Sequence, residues 1–188
     1  MTAVWTSFLL VAVAEMGDKT QLVALALAHR YRRPWTVMLG ISIATVVNHG
    51  LASSVGVWVA DALPRGWLAW IVGAGFVVFG FWTLIPDRAD AGHAPSRLGP
   101  LATTAVVFFI AEMGDKTQLA TLALGARFDS RVAVTAGTTL GMLAADGLAI
   151  FAGHRLTAMV PPRLVRWIAA ALFFAFGAAA IARPEWVL

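Results

Sequence analysis

The sequence predicts an all-α integral membrane protein in which six transmembrane helices form two inverted-topology three-helix repeats. Two features of the composition predict that the chain lies in a membrane. Of the 188 residues, 60% are hydrophobic and only 13% are charged, which is about half the charged fraction of a soluble domain. A chain this apolar could not hide its hydrophobic surface in water. A third observation, a long internal repeat, predicts two copies of one unit.

The six predicted spans are apolar runs close to the roughly 20 residues that a bilayer-crossing helix needs. They run Val4–Ala28, Trp35–Ala60, Trp67–Ile85, Leu101–Ala126, Val132–Phe151 and Val165–Ala182. Short loops rich in Arg, Pro and Gly separate them. The most polar connection lies in the middle of the chain, and we expect residues 86–97 to form a cytoplasmic linker.

The repeat relates the two halves by an offset of 97 residues, the difference between Glu112 and Glu15. It places "AEMGDKTQL" of residues 14–22 on the identical nine residues 111–119, and it pairs Gly40 with Gly137. Residues 1–85 therefore hold the first three-helix repeat and residues 98–188 the second. Because three crossings is an odd number, the second copy enters the membrane from the opposite side, as in many secondary transporters.

The arginines predict the orientation and argue against nucleic-acid binding. The loops between spans 1–2, 3–4 and 5–6 carry eight arginines: Arg30, Arg32, Arg33, Arg88, Arg97, Arg155, Arg163 and Arg166. The other side carries four: Arg65, Arg127, Arg131 and Arg183. The positive-inside rule makes the richer side cytoplasmic and places both termini outside the cytoplasm. We expect the protein to lie in the cell inner (plasma) membrane.

The sequence has no basic face interleaved with aromatic residues, so we expect no nucleic-acid partner. The absence of Cys excludes disulfides and thiolate metal sites.

The repeated motif places acidic side chains at membrane depth. An ionised carboxylate at the centre of a membrane helix costs about 2.5–3.5 kcal/mol, so the acids must face one another, water or a bound cation. The candidate metal ligands are Glu15, Asp18, Glu112 and Asp115. Their charge of −4 and the +2 of Lys19 and Lys116, the candidate charge-tuning residues, sum to −2. One divalent cation or two protons would neutralise that charge.

Helical spacing predicts that Glu15 and Asp18 share one face, because residues three apart are neighbours on a helix. Gly17 and Gly114 permit a kink, which would free backbone carbonyls as further ligands. Six residues are weaker candidates for the metal shell: Thr20, Gln21, Thr117, Gln118, Met16 and Met113. For the two methionines, packing or lipid contact is the plainer expectation.

The oxygen-rich ligand set suits Ca²⁺ or Mn²⁺, which stay equal candidates, whereas Mg²⁺ dehydrates reluctantly. A structural ion-pair network that holds two helices in register is the alternative reading of one motif. Two identical copies at inverted positions argue against it.

Three further polar residues lie inside apolar spans and are candidates for a proton relay: Asn48, His49 and Asp146. The offset pairs His49 with Asp146. For Asn48 an interhelical hydrogen bond is the expected role, and for Asp146 a functional and a structural role have equal weight.

The duplicated "EMGDKT" resembles the E-x-G-D-[KR]-[TS] signature of the Gdt family of calcium/manganese transporters, which looks related to the LysE-type exporter superfamily. The resemblance covers nearly the whole chain. It implies export of Mn²⁺ or Ca²⁺ in exchange for protons, with no cofactor and with the motif acids as cation ligands. At Asp146 many relatives are expected to have His, which leaves the role of this residue open.

Two other functions stay open on the sequence. A passive cation channel would use the same acids as a filter. An intramembrane carboxylate enzyme would need an asymmetric site, so the duplicated motif argues against it and we expect no enzyme. The expected partners are divalent cations, protons and the lipid bilayer, and the oligomeric state is undetermined.

Overall fold

The computed structural model describes residues 1–85, 98–157 and 161–183, and throughout these ranges the regular secondary structure is helical. The helices are α1 Thr2–Glu15, α2 Lys19–Tyr31, α3 Pro34–Ala62, α4 Arg65–Thr83, α5 Pro100–Glu112, α6 Lys116–Phe128, α7 Arg131–Thr157 and α8 Pro162–Ala182. The all-α prediction is therefore confirmed for this part of the chain. The predicted linker 86–97 lies outside the described residues.

Two of the predicted spans are each broken into two helices inside the motif. The first becomes α1 and α2, and the fourth becomes α5 and α6. The breaks fall at Gly17 and Gly114, which have φ of 76° and 77°. Glycine adopts this left-handed conformation without the steric cost that a Cβ atom imposes. The motif sequence thus ends one helix and begins the next.

Three described segments are long and apolar enough to cross a membrane: Pro34–Ala62, Arg131–Gly153 and Arg163–Ala182. Three shorter helical segments are also apolar: Thr2–Glu15, Trp67–Thr83 and Pro100–Glu112. On α3, Trp35 and Trp58 are 75% and 66% exposed. At 1.5 Å per residue they lie about 35 Å apart along the helix, close to the hydrocarbon thickness of ~30 Å. Exposed tryptophans at this spacing are typical of the two membrane interfaces.

Equivalent glycines bring equivalent helices together in the two halves. A Cβ atom at Gly40 on α3 would lie 2.7 Å from Thr104 Cβ on α5. A Cβ atom at Gly137 on α7 would lie 2.9 Å from Ser7 Cβ on α1. Both pairs obey the 97-residue offset, since it relates Ser7 to Thr104. Small residues let membrane helices approach this closely, and the two contacts hold α1 on α7 and α5 on α3.

The aromatic part of the core lies between α4 and α8. Phe76, Phe79 and Phe173 are buried, and the ring centroids of Phe76 and Phe173 are 6.2 Å apart. A Cβ atom at Gly73 would lie 3.0 Å from the carbonyl oxygen of Gly177, so the two helices also touch through backbone. Leu10 of α1 and Leu124 of α6 belong to the same buried cluster, so this core also supports the motif helices.

Candidate functional site

The two motif turns have the same local structure. Asp18 and Asp115 precede α2 and α6 as N-cap residues with extended backbone. The side chain of Gln21 accepts a hydrogen bond from Gly17 N at 2.8 Å, and that of Gln118 accepts one from Gly114 N at 2.7 Å. Each glutamine therefore holds a backbone N–H that the broken helix leaves without a helical partner.

These turns correct one step of the sequence reasoning. The expectation that Glu15 and Asp18 share one helix face is wrong, because α1 ends at Glu15 and α2 begins at Lys19. The same holds for the second motif. The sequence analysis did not predict that each glutamine accepts a hydrogen bond from the backbone N–H of the motif glycine. The available signal was the spacing of four residues between the glycine, which adopts a positive φ, and the glutamine.

The structure brings three of the four predicted ligands into one compact group. Each of Glu15, Glu112 and Asp115 offers a carboxylate oxygen, and these oxygens lie within 4.8 Å of one another. The two glutamates are fully buried and the aspartate is 5% exposed. The group draws on both motifs, so the two halves of the chain meet at their acidic residues.

Thr117 stands at the centre of this group. Its Oγ1 lies 2.7 Å from Glu15 Oε1, 3.1 Å from Asp115 Oδ2 and 3.4 Å from Glu112 Oε2. A hydroxyl has one hydrogen to donate, so it can bond fully to only one of the three carboxylates. Thr20, the equivalent residue in the first motif, donates to Glu15 Oε2 at 2.9 Å.

The lysines pair across the two motifs. Lys19 Nζ lies 3.0 Å from Asp115 Oδ1, and Lys116 Nζ lies 3.1 Å from Asp18 Oδ1. The side chain of Lys116 is 4% exposed and that of Lys19 is 25% exposed. Each lysine thus partly compensates an aspartate of the other half, which ties the two motifs together electrostatically.

The glutamines also bind the long helices that flank the site. Gln21 Nε2 donates to the carbonyl oxygen of Ala145 on α7 at 2.6 Å. Gln118 Nε2 donates to Asn48 Oδ1 on α3 at 2.9 Å. Asn48 in turn donates to the carbonyl oxygen of Phe109 at 3.1 Å, so it makes the interhelical hydrogen bond that was expected of it. Asn48 and Ala145 are equivalent under the offset, and the two glutamines therefore make matching contacts.

His49 and Asp146 are the residues directly after Asn48 and Ala145, and both are fully buried. Neither ring nitrogen of His49 and neither oxygen of Asp146 has a hydrogen-bond partner among the described residues. Asp146 lies within electrostatic range of Glu15 and Asp18.

The two motif methionines lie outside the buried acidic group. Met16 and Met113 are 37% and 60% exposed.

Sequence comparison finds a matching family model and several similar proteins. The family model described as "Divalent cation/proton antiporter GDT1" matches residues 3–91 and 100–185. A Vibrio cholerae protein named "Putative manganese exporter" is 43% identical over 174 residues, which cover 92% of this chain and 87% of that protein.

More distant relatives include a GDT1-like protein of Synechocystis, 28% identical over 94% of this chain and 95% of its own length. The chloroplastic PAM71-homolog protein of Arabidopsis thaliana is 33% identical over 92% of this chain and 57% of its own length. No solved structure matches the chain.

Proposed function

The chain belongs to the GDT1 family, and we propose that it exports Mn²⁺ from the cytoplasm in exchange for protons. Membership makes it a membrane cation transporter and not an enzyme. The choice of Mn²⁺, the exchange for protons and the residues that bind the cation belong to the proposal.

The observation that carries the proposal is the contact of three buried carboxylates with one hydroxyl. Thr117 Oγ1 lies within 3.4 Å of oxygens from Glu15, Glu112 and Asp115, and it donates a single hydrogen. The other carboxylate oxygens would repel one another in a site with little water unless a cation or protons lie among them. The group therefore suits the reversible binding of a cation or of protons.

Charge balance supports exchange of one divalent cation for two protons. The four motif carboxylates carry −4 and the two lysines, paired with Asp18 and Asp115, carry +2. The remaining −2 is neutralised equally well by one divalent cation or by two protons. A site that accepts either but not both couples the movement of one to the other.

Ligand chemistry narrows the cation to Mn²⁺ or Ca²⁺, and one similar protein supports Mn²⁺. Carboxylate and hydroxyl oxygens suit Mn²⁺ and Ca²⁺, and Mg²⁺ keeps its waters too firmly for such a cage. The exposed methionines offer no basis for a choice between Mn²⁺ and Ca²⁺. The choice of Mn²⁺ follows the name of the Vibrio cholerae relative.

The proposed transporter crosses the membrane six times as two inverted repeats, with α1–α2 and α5–α6 each forming one broken crossing. Helices α1 and α2 have 14 and 13 residues, or about 20 Å each, which is short of the ~30 Å hydrocarbon core. Joined end to end through the motif turn, they are long enough. The equivalent glycine contacts of the two halves also support the repeat. The cytoplasmic linker and the external termini remain predictions from the arginine distribution.

Transport by the purified chain in proteoliposomes that contain a pH-sensitive dye tests the proposal. Mn²⁺, Ca²⁺ and Mg²⁺ are offered separately, and metal and proton fluxes are measured together. We expect Mn²⁺ movement with about two protons moved the opposite way, and little Mg²⁺ movement. Metal movement without any proton flux would indicate a passive channel and would overturn the exchange mechanism.

A further inference from the structure

The three-acid group has a counterpart under the repeat offset. The offset exchanges Glu15 with Glu112 and replaces Asp115 by Asp18, so the counterpart group is Glu15, Glu112 and Asp18. Within the described ranges only the group with Asp115 has ligand atoms within 4.8 Å of one another. The two groups share both glutamates, and one divalent cation already neutralises the net charge of −2 on the motif residues, so the two positions compete for one ion.

Asp146 lies on the Asp18 side of this arrangement. It is within electrostatic range of Glu15, Asp18 and Glu112. The residue before it, Ala145, accepts the hydrogen bond from Gln21, which holds α7 against the first turn of α2. Asp146 is fully buried and its two carboxylate oxygens have no hydrogen-bond partner in the part of the chain that the structure describes.

A buried carboxylate without a partner is unfavourable, and a divalent cation is one ligand that would satisfy both of its oxygens. We propose that Asp146, with Glu15, Glu112 and Asp18, forms a second position for the transported divalent cation on the α2–α7 side of the site. This inference rests on the proposed function. The cation alternates between this position and the one that contains Asp115.

The two positions differ in charge because His49 is the counterpart of Asp146. The second position therefore has a fourth carboxylate, whereas among the described residues the position with Asp115 is formed by three acids. Carboxylate oxygen is the better ligand for Mn²⁺ and Ca²⁺. The Asp146 position thus favours capture of the cation, and the other position favours its release.

Helix packing indicates which side each position faces. On the α3–α6 side, a Cβ atom at Gly125 would lie 2.5 Å from the carbonyl oxygen of Ser53, and one at Gly56 would meet the backbone of Leu122. The equivalent of Gly56 on α7 is Gly153, where the chain leaves helical geometry with φ 71° and ψ 178°. Among the described glycines of α7, none makes such a contact with α2. Helix α2 ends at Tyr31 beside the arginine-rich loop that is predicted to be cytoplasmic. Capture therefore occurs from the cytoplasm.

Side-specific transport of Mn²⁺ by Asp146→Asn tests the inference. Everted membrane vesicles present the cytoplasmic face to added Mn²⁺, and right-side-out vesicles present the other face. We expect Asp146→Asn to raise the KM for Mn²⁺ by at least about tenfold in everted vesicles, as loss of a group that supports a metal site typically does. In right-side-out vesicles the KM changes by less than about twofold. The matched control is Thr138→Val, since among the described residues the buried Thr138 hydroxyl bonds to carbonyls of its own helix alone. The KM of this variant is expected to be unchanged at both faces.

An equal rise of KM at both faces, or no rise at either face, would overturn the second position. Because Asn has the shape of Asp, the variant is expected to fold, and its thermal unfolding in detergent confirms this. Failure of the wild-type chain to move Mn²⁺ in either kind of vesicle would instead overturn the proposed function. The two failures are thus distinguishable.

Discussion

Lys116 binds Asp18 across 98 residues of sequence, with Nζ 3.1 Å from Oδ1 and both side chains almost fully buried. Its counterpart, Lys19 with Asp115, has the same geometry, but the lysine is 25% exposed. The two halves of the chain therefore hold each other's aspartates, and one of these two ion pairs is far better shielded from solvent.

This difference predicts unequal effects of removing the two lysines. Lys116→Met leaves the buried charge of Asp18 without its lysine, which typically costs ~3–5 kcal/mol. Lys19→Met also removes the partner of a buried aspartate, but Lys19 is 25% exposed, so the pair is partly screened by solvent and its loss costs less. Thermal unfolding in detergent without metal measures both. Adding Asp18→Asn to Lys116→Met recovers part of the loss. Equal destabilisation by the two lysine variants would contradict the prediction.

Glu112→Gln is expected to stabilise the metal-free protein and to abolish transport. Glu112 Oε1 has no hydrogen-bond partner among residues 1–85, 98–157 and 161–183, and four other acids lie within electrostatic range. Replacing this carboxyl group by an amide removes the repulsion, and the expected gain is about 0.5–2 kcal/mol, the range of single stabilising substitutions. The melting temperature rises, and the further rise that Mn²⁺ causes in the wild type disappears.

Glu15→Gln is the control for that variant. Glu15 accepts from Thr20 and Thr117, so the amide nitrogen of Gln would face one of these hydroxyls. This substitution is expected to abolish transport without the gain in stability. If metal-free Glu112→Gln is no more stable than metal-free Glu15→Gln, the distinction between the two glutamates is refuted.

Thr117→Val is expected to weaken Mn²⁺ binding by about 10- to 100-fold, the range for groups that orient metal ligands. The reason is that Thr117 Oγ1 contacts all three acids of the compact group, whereas Thr20 Oγ1 contacts Glu15 alone among the acids that the structure describes. Thr117→Ser retains binding, and Thr20→Val has a smaller effect than Thr117→Val. Titration calorimetry with Mn²⁺ measures all three variants, and an equal loss in the two valine variants would argue against a central role for Thr117.

Gly56→Ala is expected to destabilise the fold by about 1–3 kcal/mol, as overpacking does. The new Cβ atom would lie 2.8 Å from Ala126 N and closer still to the Leu122 carbonyl oxygen, and backbone cannot rotate away as a side chain can. Gly50→Ala on the same helix is the matched control. Its Cβ atom would lie 3.9 Å from Thr135 Cγ2, so only the gain in helix propensity of up to ~1 kcal/mol remains. Chemical unfolding in detergent micelles should rank the two variants in this order.

The helical class and the meeting of the two motifs could be predicted from sequence, because apolar run length and an identical repeat are direct signals. The break between Glu15 and Lys19 was foreseen only as an option. A glycine in an apolar run permits a left-handed turn, but whether the turn forms depends on packing against α3 and α7. The prediction of a shared helix face was wrong for that reason.

The pairing of each lysine with the aspartate of the other motif had no signal in the sequence. Lys19 lies next to Asp18 and within reach of Glu15 along the chain, and nothing in the spacing favours Asp115 over them. Only the three-dimensional approach of α2 and α6 decides the partner. The capture role proposed for Asp146 likewise depends on burial and on the hydrogen bond at Ala145, which one-dimensional spacing does not encode.

The stoichiometry of Mn²⁺ binding tests most directly the claim that the two halves share one cation. Equilibrium dialysis of the purified chain in detergent is expected to give one Mn²⁺ per chain. Glu15→Gln and Glu112→Gln, each in a different motif, are each expected to lose this binding completely, because every proposed position uses both glutamates. Retention of one tightly bound Mn²⁺ per chain in either single variant would contradict the shared site.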